Sequence, residues 1–151
     1  MRRGLKPGQI PQLTIRNLQR MVPVDLGDLQ KFADNVLRLC LKIRRRQRTE
    51  LTEQRRVFVL LISDRRMAAL HRQFLGKSGP TDVLTFQHGE IFISAETARR
   101  HAHRFGNSLT QELRLCVVHG LLHLHGFDDR NGIEAQKMDA MQRRILEKAL
   151  Q

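Results

Sequence analysis

Residues 119–129 read His119-Gly120-Leu121-Leu122-His123-Leu124-His125-Gly126-Phe127-Asp128-Asp129. His119 and His123 are four residues apart, so on a helix both imidazoles project from one face and can reach one ion. Gly126 is a natural helix terminator, and a turn there can bring Asp129 back toward the two rings. Two nitrogens and one carboxylate oxygen leave a position for water, as in catalytic zinc sites. We therefore predict that His119, His123 and Asp129 hold one Zn²⁺ per chain.

The neighbouring side chains leave some alternatives open. Two histidines at this spacing also occur on ordinary packed helices, but the glycine turn and the carboxylate favour the metal. His125 points to roughly the opposite side of the helix, so we expect it to support a ligand, face RNA or lie on the surface. Asp128 could exchange roles with Asp129 or orient a ligand.

The residue after the first histidine bears on the reaction. Zinc peptidases of the H-E-x-x-H type place their general base there, whereas Gly120 has no side chain. The sequence therefore disfavours a peptidase and leaves water activated by the metal, for which no general base is identified.

Composition limits the class of protein and its partners. A chain of 151 residues, 40% apolar, predicts one domain with a single core. The net charge of +12 favours a polyanionic partner, either nucleic acid or an anionic membrane surface, over a merely soluble basic protein. The longest apolar run, residues 57–62, is too short to span a membrane, and no secretory signal is expected. Two cysteines in apolar patterns indicate a reducing, cytoplasmic setting.

Periodicity predicts an α/β (α+β) fold, namely one small mixed four-stranded sheet packed with about five helices, including a zincin-like metal helix. Residues 1–12 are expected to form a basic N-terminal arm, and residues 13–151 the domain. The short link 87–89 indicates an antiparallel strand pair, and Ser108 with Gln111 a capping box. The basic cluster 42–48 is interpreted as a continuation of the preceding helix. It is either a solvated helix end or a phosphate-binding patch. The predicted strands are 13–18, 57–62, 82–86 and 90–94, and the predicted helices 26–41, 64–75, 94–104, 108–125 and 132–150.

Residues 119–129 resemble the signature of the YbeY family of bacterial endoribonucleases and ribosomal RNA maturation factors. A second stretch agrees, because residues 80–86 are similar to the family's P-T-D-V-L-S-F, and residues 89–94 resemble its G-D-I strand. The likeness runs from about residue 13 to about residue 146.

This resemblance implies a zinc-dependent, single-strand-specific endoribonuclease with its metal in a cleft. It also implies a role in maturation of the 3′ end of 16S ribosomal RNA and in ribosome quality control. Its partners would be ribosomal RNA and the small ribosomal subunit, with no membrane. The family's ligand positions fall on His119, His123 and Asp129. The third is usually histidine in the family, so Asp129 is a departure that makes the bound metal less positive.

A second departure concerns substrate binding. The family's arginine in the first motif corresponds to Leu75 here, and its asparagine to His71. Arg72 or Lys77 could supply the missing cation, so both are candidate substrate-binding residues. Loss of the arginine favours an alternative function, a non-catalytic RNA-binding assembly factor with a structural zinc.

Overall fold

The computed structural model describes residue 6 and residues 8–151. The predicted arm at residues 1–12 falls partly outside these residues, and Gln12 at its end already belongs to the first strand. The strands are β1 (Gln12–Asn17), β2 (Arg56–Ile62), β3 (Val83–Phe86) and β4 (Glu90–Ser94). The helices are α1 (Leu26–Leu41), α2 (Glu50–Glu53), α3 (Asp64–Leu75), α4 (Ala95–Phe105), α5 (Leu109–Leu124) and α6 (Gly132–Ala149).

The predicted α+β class is confirmed, with one element added. All four predicted strands and all five predicted helices are present within one or two residues. The additional helix, α2, is a single turn held by a capping box between Thr49 and Thr52. Four residues are too few to show helical periodicity, which is why the pattern of apolar residues did not reveal it.

The sheet is mixed, as predicted, with strand order β1-β2-β4-β3. The first three of these strands are parallel, and β3 pairs antiparallel with β4 at the edge. The tight link between β3 and β4 contains Gly89, whose φ of +91° suits glycine. This arrangement places β4 in the interior of the sheet, where α5 packs on it.

One face of the sheet forms the core and the other is only partly covered. Val59, Leu61 and Ile91 are fully buried on the α5 face. Phe58 and Leu60, which alternate with them, are half-buried. The unbroken apolar run 57–62 predicts a central strand buried on both faces, and this prediction was wrong because only one face is fully buried. The second face is packed by α3, which contacts the sheet through an edge-to-face pair between Phe74 and Phe86 with ring centroids 5.1 Å apart. Phe74 itself is 55% exposed, so this contact covers the face only in part.

The basic cluster at residues 42–48 is a loop and not a continuation of α1, which ends at Leu41. The carbonyl oxygen of Ile43 accepts a hydrogen bond from the side chain of His125 and not from a backbone N–H of a longer α1.

Helix α5, which precedes His125, begins at the predicted capping box of Ser108 and Gln111 and ends before Gly126, whose φ is +90°. Both predicted ends of α5 are confirmed.

No helix in the described part of the chain is long and apolar enough to cross a membrane.

Candidate metal centre

The last two turns of α5 and the turn after it bring His119, His123 and Asp129 together. The two Nε2 atoms are 3.1 Å apart. Oδ2 of Asp129 lies 3.7 Å from Nε2 of His119 and 3.8 Å from Nε2 of His123. The imidazoles are about one-quarter exposed and the carboxylate is half exposed. Three potential ligand atoms therefore converge at the surface of the domain, where a fourth position faces solvent.

Hydrogen bonds on the far side of each ring orient these ligand atoms. Nδ1 of His123 lies 3.0 Å from the carbonyl oxygen of Phe127, and Nδ1 of His119 lies 3.0 Å from Oε1 of Gln142. A carbonyl oxygen only accepts, so both rings carry their proton on Nδ1 and present an Nε2 lone pair. Gln142 belongs to α6, and no pattern around the histidines pointed to it.

The donor set fits a small divalent metal. Two facing lone pairs 3.1 Å apart repel unless a cation lies between them. Zinc–nitrogen distances of about 2.0–2.1 Å imply ligand separations of about 3.3 Å in a tetrahedral site. The observed separations of 3.1, 3.7 and 3.8 Å bracket that value. The three side chains thus have the chemistry and the spacing to hold one metal ion.

The environment of His123 keeps this ligand neutral. Burial lowers the pKa of His123, and the neighbouring His119 lowers it further. Asp129 and the Phe127 carbonyl oppose that shift without cancelling it. A neutral imidazole is the form that binds a metal, so burial prepares this residue for ligation at neutral pH.

His125 is a buried anchor and not a ligand. Its side chain is 2% exposed. Its Nε2–H donates to the carbonyl oxygen of Ile43 at 2.8 Å, and the hydroxyl of Thr49 donates to its Nδ1 at 2.9 Å. Both ring nitrogens are therefore used. Burial, helped by Arg45, lowers the pKa of His125. The expectation that His125 lies on the surface or faces RNA was wrong, because the loop at residues 42–49 covers it.

Asp128 shapes the turn that carries Asp129. Its Oδ1 accepts the backbone N–H of Asp129 at 2.8 Å, and its Oδ2 pairs with Nε of Arg130 at 2.6 Å. Neither oxygen belongs to the convergent group of ligand atoms. Asp128 thus orients the backbone of a ligand residue, and the structure does not place it in the ligand position.

Gly120 of α5 packs closely against Ile91 of β4. A Cβ there would lie 2.6 Å from Cγ2 of Ile91, well inside contact distance. The position that bears the general base in H-E-x-x-H peptidases is therefore packed against β4 and has no room for a side chain. This geometry supports the exclusion of that peptidase mechanism.

The three ligand residues open into a cleft of about 540 Å³. Its other wall comes from the end of α3 and the loop leading to β3, and includes Leu75 and Lys77. Lys77 therefore lines the same cleft as the candidate ligands, whereas Arg72 is exposed on α3 and does not line it. Leu75 lies on the wall with 54% of its surface exposed. Nδ1 of His71, also in this wall, lies 2.9 Å from the carbonyl oxygen of Gly79.

Comparison with known proteins agrees with this geometry. A family model described as Endoribonuclease YbeY matches residues 14–150. A protein of Synechococcus sp. (strain CC9605) named Endoribonuclease YbeY is 42% identical over 100 residues, which cover 56% of this chain and 60% of that protein. A protein of the same name from Thermus thermophilus is 39% identical over 102 residues, covering 60% of this chain and 73% of the relative.

The first of these alignments spans less than two thirds of the relative's length, at 60%. A structural comparison covers more of both chains. The solution structure of a Thermotoga maritima protein superposes with a TM-score of 0.62 and 29% sequence identity, covering 90% of this chain and 89% of that one. With the family model matching nearly the whole chain, the protein belongs to the YbeY family.

Proposed function

We propose that the protein is a metal-dependent endoribonuclease that cleaves single-stranded ribosomal RNA. The observation that carries this proposal is the triad of His119, His123 and Asp129 at the floor of an open cleft. Three protein ligands in a cleft leave a position for substrate or water, whereas structural zinc sites have four protein ligands. This argues against a non-catalytic assembly factor, and the relatives' name, Endoribonuclease YbeY, favours the same conclusion.

We infer that the metal is zinc, one ion per chain, because two imidazoles and one carboxylate are common zinc ligands. When bound, such an ion polarises a phosphoryl oxygen and lowers the pKa of water. The protein's own contribution is to orient the ligands. Gln142 and the Phe127 carbonyl hold the two rings, and the turn built by Asp128 places the third ligand.

Substrate binding is assigned to Lys77 in the wall of the cleft. Lys77 lines the same depression as the three ligand residues, and its ammonium group can pair with a phosphate. Leu75 offers only apolar contact beside it. We therefore assign the positioning of substrate phosphate to Lys77 and not to Arg72, which does not line the cleft.

The physiological substrate proposed is a precursor of the small-subunit ribosomal RNA, cut near the 3′ end of 16S RNA in the cytoplasm. The net charge of +12 suits a polyanionic substrate of this kind. The small ribosomal subunit is the corresponding partner.

The test is cleavage of a small-subunit ribosomal RNA precursor by the purified protein, with and without chelator. A His119→Ala/His123→Ala variant, checked for folding by circular dichroism, provides the matched control. We expect cleavage by the metal-loaded wild type alone. A folded, metal-loaded wild type that binds this RNA without cutting it would reject the nuclease and leave the binding factor.

A further inference from the structure

A second groove, which Lys77 does not line, adjoins the metal site. It has a volume of about 730 Å³. One wall is the loop of residues 42–48, here called the basic loop, and the other includes His123, Gly126 and Phe127. These last three residues also line the 540 Å³ cleft, so the two depressions are continuous past the ligands.

The basic loop is fixed to the end of the helix that carries the ligands. The His125 ring makes hydrogen bonds at the two ends of the loop, to the carbonyl oxygen of Ile43 at 2.8 Å and with the hydroxyl of Thr49 at 2.9 Å. In between, Nη2 of Arg45 donates to the carbonyl oxygen of Gly126 at 3.0 Å. The Arg45 guanidinium also lies 4.0 Å from the centroid of the Phe127 ring. The loop therefore holds a set position relative to the metal site.

Within the part of the chain that the structure describes, two arginines of the basic loop have no side-chain partner. Arg44 and Arg46 are exposed, and among the described residues neither makes a side-chain hydrogen bond or an ion pair. Over residues 8–151, the ion pair of Arg48 is with Glu53, at 3.3 Å and with 87% of the arginine side chain exposed. An exposed pair of this kind contributes little to stability, so the guanidinium remains available to a stronger anion.

The groove as a whole is cationic. Five arginine and lysine side chains line it, against the two carboxylates of Glu50 and Glu134. Both carboxylates have partners, since Glu134 lies 3.5 Å from Nζ of Lys137 and Glu50 accepts from Gln54 at 3.0 Å. A concave cationic groove suits a single strand of phosphates better than a flat membrane surface.

We propose that the basic loop binds the phosphates of the RNA strand on one side of the cleaved bond, through Arg44 and Arg46. The strand then runs from the cleft beside Lys77, across the ligands, into the groove. This inference rests on the proposed function, because it takes the ligand to be RNA. Arg45 and His125 act as positioning residues that hold the loop in place.

The experiment is equilibrium binding of a fluorescent single-stranded RNA oligonucleotide, followed by anisotropy in chelator so that no metal-dependent cleavage occurs. The test variant is Arg44→Ala/Arg46→Ala, whose exposed side chains make no hydrogen bond or ion pair among the described residues. The matched control is Arg65→Ala/Arg66→Ala, which removes the same charge from an exposed site on α3 that lines neither depression.

The expected loss of RNA affinity follows from counterion release. Each phosphate contact contributes about 0.7 to the slope of log affinity against log salt for single-stranded nucleic acid. Loss of two contacts lowers the slope by about 1.4 and weakens the affinity about 25-fold at about 0.1 M salt. The control variant is expected to keep the wild-type slope.

Equal weakening in the two variants would overturn the inference, since it would reduce the effect to total charge. Unchanged binding in the test variant, or no RNA binding by the wild type, would overturn it as well. So would loss of binding to phosphatidylserine-containing vesicles in the test variant while RNA binding stayed intact. If the wild type fails to cleave RNA but the two variants still differ in binding, the proposed nuclease fails and the basic loop stands.

Discussion

The hydrogen bond between Gln142 and His119 makes a quantitative prediction about metal affinity. Gln142→Leu removes the acceptor of the Nδ1–H while nearly preserving side-chain volume. Loss of such an outer partner typically costs about 10–100-fold in metal affinity. The His119 side chain is 27% exposed, so water can partly replace the amide oxygen. A net hydrogen bond of about 0.5–1.5 kcal/mol corresponds to a loss of at most about 13-fold, so we expect about tenfold.

The assay is competition for zinc between the metal-free protein and a chromophoric chelator. Gln136→Leu is the matched control, because Gln136 is exposed on the same helix and its side chain makes no hydrogen bond within the described chain. Gln142→Glu keeps an acceptor and adds a charge, so it should bind zinc at least as tightly as the wild type. Equal zinc affinity in Gln142→Leu and Gln136→Leu would refute the assignment of Gln142 as the partner that orients His119.

Three further predictions concern stability. Gly120→Ala should lower the unfolding free energy by about 1–3 kcal/mol through overpacking against Ile91, and the better helix propensity of alanine offsets up to about 1 kcal/mol of this loss. In urea unfolding, the loss should disappear when Gly120→Ala is combined with Ile91→Ala; an equal loss in that background would contradict the contact. Burial raises the pKa of Asp64, but hydrogen bonds from Arg100 and two hydroxyl groups outweigh it and hold the pKa below 3.8. Because the folded pKa is depressed, this stabilisation is present above pH 3.8 and is lost as pH falls through the folded value, so Asp64→Asn should flatten the acid dependence of the unfolding free energy; an unchanged profile would contradict it. Zinc at about 100 times its dissociation constant should stabilise the fold by about 2.7 kcal/mol, measured as a higher unfolding midpoint that His119→Ala/His123→Ala does not show.

Local signals in the sequence were enough to predict most of the fold and the convergence of the three candidate ligand side chains. The spacing of His119 and His123, with Gly126 ending the helix, depends only on residues close in the chain, and the structure brings these side chains together with Asp129. The capping box at Ser108 and the antiparallel pair of β3 and β4 are equally local. Features of this kind are predictable because helix and turn geometry alone determine them.

The features that the sequence did not reveal depend on contacts between distant residues. Gln142 lies 23 residues from His119, and only the packing of α6 on α5 brings them together. The interpretation of residues 42–48 as helix failed because the Ile43 carbonyl bonds His125, which lies 82 residues away. The same contact buries His125, which helical geometry alone would have left outside. No periodicity within one segment encodes such pairs.

The most direct test of a metal site that drives RNA cleavage is a titration of metal-free protein with zinc, recording the cleavage rate of single-stranded RNA at each addition. We predict a rate that rises linearly to one equivalent of zinc per chain and then stays constant, and that is lost in a folded Asp129→Ala variant. A full rate without metal, or no cleavage at saturating zinc, would contradict the assignment of His119, His123 and Asp129 as the centre of a nuclease.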